Sequence, residues 1–264
     1  MSQRIRNLIY IFHKIPKIFL WFFLCGIVFI YCLLFYNNLV KPYSYRWKAL
    51  YGKTSYPYGY VRGIDISHYQ KLIDWSKLSN AKIQGNAIDF IFIKATEGNE
   101  MQDTLFNFNF NKARSHNLIR GAYHFFTTQS CGLEQAKFFC RTVKLESGDL
   151  PPVLDIEFDK FNSVENDNSL KKEILNWLFY VENYYRVKPI IYASFNFKTS
   201  FLKDKVFDDY PYWIAHYYVD TLSYEKKWRF WQHTDAGHVD GIDDYVDIDL
   251  FNGNKNDLIK MCIK

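Results

Sequence analysis

Eight short apolar segments constrain the fold of this chain more than any other feature of its sequence. They lie at residues 61–67, 88–95, 118–125, 151–157, 188–194, 210–217, 228–234 and 245–251. Segments of this length and composition are typical of buried β-strands. Several of the longer stretches between them carry helical patterns. The alternation therefore indicates a parallel sheet with helices packed against it.

Three of the intervening stretches, at 104–117, 132–146 and 169–186, show the clearest helical patterns. The last of them carries one broad apolar stripe, formed by Leu170, Ile174, Leu175, Trp177, Leu178 and Val181. About eight strands in some 200 residues indicate a barrel. The last three strands follow one another too closely for full helices. We therefore predict an α/β protein, an irregular TIM-like β/α barrel whose helices are incomplete in the last third.

The N-terminal region contains nineteen consecutive uncharged residues, 18–36, most of them apolar or aromatic. A helix of that length spans close to the roughly 30 Å hydrocarbon core of a bilayer. Buried core helices are usually shorter and seldom aromatic on every face. A cleaved signal peptide would have an apolar run of about 7 to 15 residues and a small-residue cleavage site, which is missing here. We expect an uncleaved transmembrane signal anchor.

This interpretation divides the chain into four segments. They are a basic cytoplasmic N-terminus at 1–17, a signal anchor at 18–40, a juxtamembrane linker at 41–60 and a barrel domain at 61–264. The basic residues before the apolar run should stay in the cytoplasm, although Lys41, Arg46 and Lys48 weaken that bias. We expect a monomeric, single-pass protein of the cytoplasmic membrane, with its barrel outside the cytoplasm.

The formal charge of +5 is concentrated at the N-terminus. Residues 1–60 hold eight Lys or Arg and no Asp or Glu, which leaves 25 basic and 28 acidic residues in the remainder. The predicted barrel therefore has a net charge of −3. A surface that binds nucleic acid needs an excess of cations to neutralise phosphates, so the sequence argues against a nucleic-acid partner.

No cofactor or metal site is indicated by the sequence motifs. Walker loops, dinucleotide fingerprints, zinc-ligand spacings and C-x-x-C pairs are all missing from the sequence. Three cysteines, Cys131, Cys140 and Cys262, follow the apolar run. Because three is an odd number, at least one thiol is unpaired within a monomer.

Four carboxylic acids lie at or near the ends of apolar segments, namely Asp65, Asp155, Glu157 and Asp247. Burying an unpaired carboxylate costs several kcal/mol, so its presence in such a segment needs a reason. Asp155 and Glu157 are two residues apart and share one face of a strand. In a β/α barrel, the C-terminal strand ends form the mouth of the active site. We therefore expect these carboxylates to converge there.

Converging carboxylates are suited to the cleavage of glycosidic bonds. One protonated acid can donate to the leaving oxygen, while an anion supports the oxocarbenium-like transition state or attacks it. Repulsion between neighbouring carboxylates helps to keep one of them protonated. Taken singly, each acid could instead be structural or bind a metal. A D-x-E pair, together with an acid ending the first strand, favours the catalytic interpretation.

The strand motifs resemble, in order and spacing, those of glycoside hydrolase family 25 lysozymes. They are GIDIS (63–67), IKATEG (93–98), GAYHF (121–125), PVLDIE (152–157), IYAS (191–194), WIAHY (213–217), WQHT (231–234) and VDIDLF (246–251). The resemblance covers about residues 61–254, and an ordered series of this kind is far more specific than any single motif. Asn117 departs from the pattern, since the family usually has Gly there. Asn also tolerates the left-handed conformation, so we expect the turn to persist.

The resemblance implies a β/α barrel that hydrolyses the β-1,4 bond between N-acetylmuramic acid and N-acetylglucosamine in peptidoglycan. By motif position, Glu157 is the general acid. Asp155 orients or stabilises the 2-acetamido group or the cationic intermediate, and Asp65 and Asp247 complete the cluster. Whether a carboxylate, a water or the acetamido group attacks stays open.

Other side chains in the motifs could line a sugar-binding groove, because sugar rings stack on aromatics and need polar partners. The aromatic candidates are Tyr123, Tyr192, Trp213, Tyr217 and Trp231, and the polar candidates are His124, His216, Gln232, Lys94 and Glu97. Lys94 could pair with Asp65 or a neighbouring carboxylate and tune the pKa of the acid, or form a structural ion pair at the rim. The acidic stretch 240–249 is expected to be a solvated loop, with a cation site as the alternative.

Our first hypothesis is a membrane-anchored N-acetylmuramidase that binds glycan strands outside the cytoplasm and the lipid bilayer through residues 18–40. Two alternatives remain open. One is a catalytically inactive, membrane-tethered domain that binds glycan or serves as a scaffold. The other is a barrel hydrolase of a different N-acetylated polysaccharide.

Overall fold

The computed structural model describes residues 17–40, 56–157, 167–222 and 228–264. The chain divides into two compact units, Met1–Gly52 and Lys53–Lys264. The predicted cytoplasmic segment, except Lys17, and most of the predicted linker lie outside the described residues.

Helix α1, Lys17–Phe35, continues through a wider turn at Tyr36–Val40. Together they form a 24-residue stretch with a mean hydropathy of 2.7 in its most apolar window, and no part of that window is buried. At about 1.5 Å per residue it is long enough to cross a membrane. A signal sequence near the N-terminus can meet the same criteria of length and hydropathy, and the helix is a candidate membrane span.

The second unit contains a closed eight-stranded barrel. Its strands are β1 (Val61–Ile66), β3 (Asn86–Glu97), β5 (Ile119–Phe125), β6 (Val153–Ile156), β7 (Ile190–Ser194), β8 (Tyr212–Ala215), β9 (Trp228–Gly237) and β10 (Val246–Phe251). They are hydrogen-bonded in the order β1-β10-β9-β8-β7-β6-β5-β3, and pairing of β1 with β3 closes the ring. Two short strands, β2 (Lys82–Ile83) and β4 (Met101–Gln102), pair with β3.

The helices of this unit are mostly short. They are α2 (Trp75–Leu78), α3 (Phe106–Ser115), α4 (Gly132–Thr142), α5 (Asp167–Tyr185), α6 (Phe195–Ser200) and α7 (Lys255–Met261). Single 3₁₀ turns lie at His68–Gln70 and Lys205–Asp209. Each of the eight predicted strands and each of the three predicted helices coincides with an element of the barrel unit.

One strand runs against the expected parallel arrangement. Strand β10 is antiparallel to both of its neighbours, β1 and β9, whereas the other pairs around the ring are parallel. The connection at residues 238–245 is too short to carry the chain back along the barrel, so β9 and β10 must pair as a hairpin. The barrel therefore departs from the all-parallel TIM pattern at its closing strand.

Strand alternation separates two apolar layers. Ile64 and Ile66 of β1 pack outward against the helices, while residues such as Phe92 and Trp213 fill the barrel interior. These two interior rings stack with centroids 4.4 Å apart. At Gly63 of β1, an added Cβ would approach the Phe90 ring to 2.3 Å, so only glycine fits there. Apolar side chains fill most of the barrel interior, and the polar residues lie at one mouth of the barrel.

The apolar stripe of α5 is buried as predicted. Ile174, Trp177, Leu178 and Val181 are buried against the barrel, and Leu170 and Leu175 are partly buried. The Asn117 turn also has the expected conformation, with φ of 60°.

Residues 56–60, the last part of the predicted linker, pack on the barrel. The Pro57 carbonyl accepts a 2.8 Å hydrogen bond from Arg62, and the Tyr60 ring lies 5.7 Å from that of Trp228. The buried Tyr56 ring lies 5.4 Å from His233. The folded unit therefore begins before residue 61, because these aromatic side chains find apolar partners there.

Candidate active site

The carboxylates that end the apolar segments meet at one mouth of the barrel. Asp65 lies directly opposite Asp247 in the β1–β10 pair, and Asp155 lies beside Tyr192 in the β6–β7 pair. These residues line one cavity of about 170 Å³. Its full lining is Asp65, Ser67, Tyr69, Lys94, Tyr123, Phe125, Asp155, Glu157, Tyr192, Trp213, Tyr217, Gln232 and Asp247.

A second cavity of about 290 Å³ adjoins the first. Both cavities include Glu157, Tyr192 and Tyr217 in their walls. The remaining lining of the second cavity comes from Ser194, Phe195, Asn196, Ala215 and His216. Because Glu157 belongs to both, it lies at the junction of a two-lobed groove. We call the cavity with the aspartates the inner lobe and the second cavity the outer lobe.

Gln232 connects both sides of the inner lobe. Its Nε2 atom donates to Asp65 Oδ2 at 2.7 Å, and its Oε1 atom accepts from the hydroxyls of Tyr192 and Tyr217, each at 2.7 Å. The Tyr192 hydroxyl is also 3.4 Å from Glu157 Oε1. This network fixes the orientation of Asp65, because a buried amide that has all these partners cannot easily rotate.

Burial shifts the acids of the inner lobe towards their protonated forms. Loss of water raises the pKa of Asp65 to about 7, an effect that the hydrogen bond from Gln232 opposes. Burial, with the nearby charge of Asp65, raises the pKa of Asp247 to about 9. Two carboxyls that face each other in a low-dielectric site cannot both be ionised without a large cost. At neutral pH, the pair therefore retains at least one proton.

Asp155 and Glu157 have different surroundings. Asp155 is buried, and its Oδ1 atom has no hydrogen-bond partner among the described residues. Burial and then the charge of Glu157 raise the pKa of Asp155 well above its usual value, whereas Lys94 lowers it. Glu157 is exposed at the mouth. Displacement of water by neighbouring protein atoms raises the pKa of Glu157, and the Tyr192 hydroxyl and Lys94 oppose this rise.

Lys94 pairs with Glu97 rather than with Asp65. The Lys94 Nζ atom is 2.7 Å from Glu97 Oε2 and 4.7 Å from the centroid of the Phe125 ring. Asp65 has Gln232 as its hydrogen-bond donor instead. Lys94 still lowers the pKa of Asp155 and Glu157, so its charge acts on the acids without direct pairing.

Three residues expected in the groove line neither lobe: Glu97, which pairs with Lys94, and the buried His124 and Trp231. His124 is fully buried between the barrel and the helices, where its ring contacts Thr96 and Gln135 and stacks on Trp177. The Trp231 indole is also buried on the outer side, and it donates to the His216 carbonyl at 2.8 Å. These two buried residues each follow or precede an inward residue of their strands, so alternation directs their side chains outward.

Several site residues were missed by the sequence analysis. Asp249 is buried and accepts a 2.8 Å hydrogen bond from Trp213 Nε1. The others are Ser67, Tyr69 and Phe125 in the inner lobe and Ser194, Phe195, Asn196 and Ala215 in the outer lobe. The signal for five of these residues was strand periodicity, because positions i and i+2 share a face. Each lies two residues after a candidate site residue, namely Ser67, Phe125, Ser194, Ala215 and Asp249.

The acidic stretch 240–249 is divided between solvent and the site. Asp243 and Asp244 are exposed, and Asp244 pairs with Lys71 at 3.6 Å. Asp247 and Asp249 begin the inward face of β10.

Comparison with known proteins identifies the family. The family model described as glycosyl hydrolases family 25 matches residues 64–242. The chain belongs to glycosyl hydrolase family 25. This family 25 chain is 32% identical over 215 residues to lysozyme M1 of Streptomyces globisporus, and the match covers 76% of this chain and 71% of that protein.

The chain is also similar to two further proteins. The chain is 39% identical over 221 residues to the uncharacterized protein YegX of Escherichia coli K12, with coverage of 83% of this chain and 76% of that protein. The crystal structure of the bacterial lysozyme from Streptomyces coelicolor matches with a TM-score of 0.70 and 31% identity. That match covers 80% of this chain and 98% of the lysozyme. The protein is therefore a glycoside hydrolase.

Proposed function

We propose that this family 25 hydrolase cleaves the β-1,4 bond between N-acetylmuramic acid and N-acetylglucosamine in peptidoglycan. The observation that carries the proposal is the position of Glu157 at the junction of the two lobes, above three more deeply set acids. A glycan strand that occupies both lobes would have its scissile bond beside this carboxyl. Similarity to lysozyme M1 supports the same substrate class.

Glu157 acts as the general acid and protonates the glycosidic oxygen. Its raised pKa increases the protonated fraction near neutral pH, which a general acid requires. Its exposure is compatible with this role, because a glycan must reach the carboxyl from solvent.

Asp155 orients or stabilises the 2-acetamido group or the cationic intermediate. Asp155 lines the inner lobe, where its carboxyl group can accept a hydrogen bond from the acetamido N–H. A positive charge that develops beside Asp155 would favour its ionised form. Asp65 and Asp247 add negative charge to the floor of the same lobe.

Aromatic side chains in both lobes can contact the apolar faces of sugars. Tyr192 packs on Trp213 in the inner lobe, with ring centroids 4.6 Å apart. Phe195 stacks on His216 in the outer lobe, with centroids 4.6 Å apart and ring planes 18° apart. The sugar that leaves would then contact the Phe195 side of the groove, with Tyr123 and Tyr217 facing the sugar that is attacked.

The proposal is tested by incubating the detergent-solubilised full chain with purified peptidoglycan and measuring the release of reducing ends. We expect Glu157→Gln to lower kcat by about 100- to 10,000-fold, the usual contribution of a general acid. Glu134→Gln is the matched control, because Glu134 is an exposed helix residue paired with Lys137. Mass spectrometry of the products should find muramic acid at the new reducing end.

Other outcomes of this assay would favour the alternatives. Activity that survives Glu157→Gln would mean that the acid is misassigned. Binding without cleavage would favour a glycan-binding scaffold. Cleavage of a different N-acetylated polysaccharide, with peptidoglycan untouched, would favour the other hydrolase.

We also propose that residues 18–40 form an uncleaved signal anchor, with residues 1–17 in the cytoplasm and the catalytic domain outside it. The apolar, charge-free helix supports this, and a peptidoglycan substrate would lie on that side. The full chain should remain in carbonate-washed membranes with its original N-terminus. A mature N-terminus beyond residue 40 would instead identify a cleaved signal sequence.

A further inference from the structure

We propose that Asp249 is a positioning residue, a neutral carboxylic acid whose O–H group donates to Asp65 and holds the Asp65 carboxylate in place. The inference rests on the proposed function for its catalytic consequence. Its structural basis is the set of hydrogen-bond donors and acceptors around the fully buried carboxyl of Asp249.

The two oxygens of Asp249 have different partners. Oδ1 accepts a 2.8 Å hydrogen bond from the Trp213 indole N–H, which can only donate. Oδ2 is buried and has no N–H or neutral O–H donor among the described residues. Asp249 lies two residues along β10 from Asp247, which faces Asp65 across the β1–β10 pair, so the Asp249 and Asp65 side chains are diagonal neighbours on one face of the sheet and share a hydrogen bond. Since carboxylate oxygens only accept, this contact is favourable only if one of the two groups carries a proton.

The neighbouring groups favour a proton on Asp249. Asp65 receives a hydrogen bond from Gln232 Nε2, which stabilises the Asp65 anion. Among the described residues, the only N–H donor to Asp249 is the indole of Trp213. The charged groups that face Asp249 are Asp65 on β1 and Asp247 on its own strand, and both are acidic. Burial, with these two neighbours, raises the pKa of Asp249 well above its usual value.

The arrangement gives Asp65 donors from two strands, and Asp247, directly opposite, is a third hydrogen-bond partner. Gln232 donates from β9 and Asp249 from β10, so the carboxylate is held in one orientation towards the cavity. Asp249 itself does not line the cavity. It therefore acts through Asp65 and not on the substrate.

Two substitutions of Asp249 test whether this position must donate a hydrogen bond or must carry a negative charge. In Asp249→Asn, the side-chain oxygen can still accept from Trp213 while its NH₂ group donates to Asp65. Asp249→Leu has neither function. We expect kcat/KM on peptidoglycan to fall by less than about threefold in Asp249→Asn and by about 10- to 100-fold in Asp249→Leu, the range for a lost hydrogen bond to a charged group.

The pH profile gives a readout that a loss of packing alone would not change. The hydrogen bond from Asp249 lowers the pKa of Asp65. Its removal in Asp249→Leu should therefore move the acidic limb of kcat/KM to higher pH, while Asp249→Asn keeps the limb in place. A fall in Asp249→Asn as large as that in Asp249→Leu would overturn the proposal, because it would show that a negative charge is needed.

Thermal unfolding tests the protonation of Asp249 without any activity. A buried acid that keeps its proton loses stability relative to the unfolded chain as pH rises above the unfolded pKa. The Tm of Asp249→Asn relative to wild type should therefore rise between pH 5 and pH 8. The exposed Asp240→Asn is the control and should show no such trend.

These readouts distinguish the two proposals. A wild type that is inactive on peptidoglycan, with the Tm trend present, would refute the proposed function and leave the protonated Asp249 supported. A flat Tm difference would overturn the assignment of the proton, whatever the activity. Failure of Asp249→Asn to fold, while Asp240→Asn folds, would also overturn it, since an isosteric donor should be accepted.

Discussion

At the scale of single residues, the site depends on how protons are distributed among closely spaced acids. Asp155 lies in β6 and Glu157 directly follows the end of that strand, yet Asp155 is buried and Glu157 is exposed. Strand alternation accounts for their shared direction, but it carries no information about their water contact. The hydroxyl of Tyr192 adds a further influence, because it lies close to Glu157.

Tyr192→Phe should move the basic limb of the pH–activity profile to higher pH. The Tyr192 hydroxyl lowers the pKa of Glu157, so its removal raises that pKa. A general acid is active while protonated, and activity then persists to a higher pH. We expect kcat at the optimum to change by less than about tenfold.

Tyr217→Phe is the matched control for this prediction. Tyr217 donates to the same Gln232 oxygen at the same 2.7 Å distance, but it makes no hydrogen bond to Glu157. Its loss should leave the basic limb in place. Equal shifts in the two variants would mean that the effect passes through Gln232 instead.

At the scale of elements, the ends of strands and helices supply the groove. The outer lobe is formed where β7 passes into α6, and Ser194 caps that helix by accepting from the Phe197 amide at 3.1 Å. This abrupt transition brings Phe195 to the wall of the lobe, facing His216 at the end of β8. The placement depends on two neighbouring elements and could not be derived from either segment alone.

Phe195→Ala should weaken binding of glycan strands more than it slows their cleavage. A stacked aromatic contact contributes about 0.5 to 1.5 kcal/mol, so KM should rise by roughly 2- to 10-fold with kcat within about twofold. The comparison is Phe108→Ala on α3, where the ring is exposed and outside both lobes. A loss confined to kcat would argue against a role in binding.

Asn117→Ala should lower the free energy of unfolding by about 1 to 2 kcal/mol, because residue 117 has φ of 60°. Asn117→Gly should be neutral or slightly stabilising, since glycine adopts this conformation without a Cβ clash. Urea denaturation measures both, and kcat/KM should not change. Equal effects of the two substitutions would contradict a conformational origin.

At the scale of the whole molecule, the chain consists of two units. One contains the candidate membrane span, and the other is the barrel, which has buried acids at one end. The pKa of Asp247 is raised to about 9, so the native protein keeps a proton that the unfolded chain has lost. Burial lowers the pKa of His124 to about 3 and of His233 to about 4. Because both histidines are neutral in the folded and the unfolded chain above about pH 7, they do not change the pH dependence of stability there.

The free energy of unfolding should therefore fall as pH rises from 7 to 8.5. For an acid with a raised folded pKa, stability is present at low pH and is lost as pH rises through that pKa. We expect Asp247 to account for a loss of about 1 to 2 kcal/mol, or roughly 3 to 6 °C in Tm. Asp247→Asn should reduce this dependence without abolishing it, because burial also raises the pKa of Asp155 and Asp249. An equal pH dependence in the two proteins would show that Asp247 is ionised in the native state.

The sequence alone determined the strands, the main helices and the face of each strand on which the acids lie. These features are local, because the periods of helices and strands repeat within a few residues. The same local rule, applied to every strand, would have directed His124 and Trp231 outward and Asp249 inward.

Only the tertiary structure decided how the ring closes, with β1 between β3 and β10, the pairing of Lys94 with Glu97 and the burial of each carboxyl. Ring closure depends on which strands become neighbours. Whether Lys94 pairs with Glu97, three residues along the chain, or with the distant Asp65 depends on how β1 and β3 pack together. The pKa of an acid depends on how much water the whole fold removes from around it. These quantities arise from packing between elements, so no short segment of the sequence contains them.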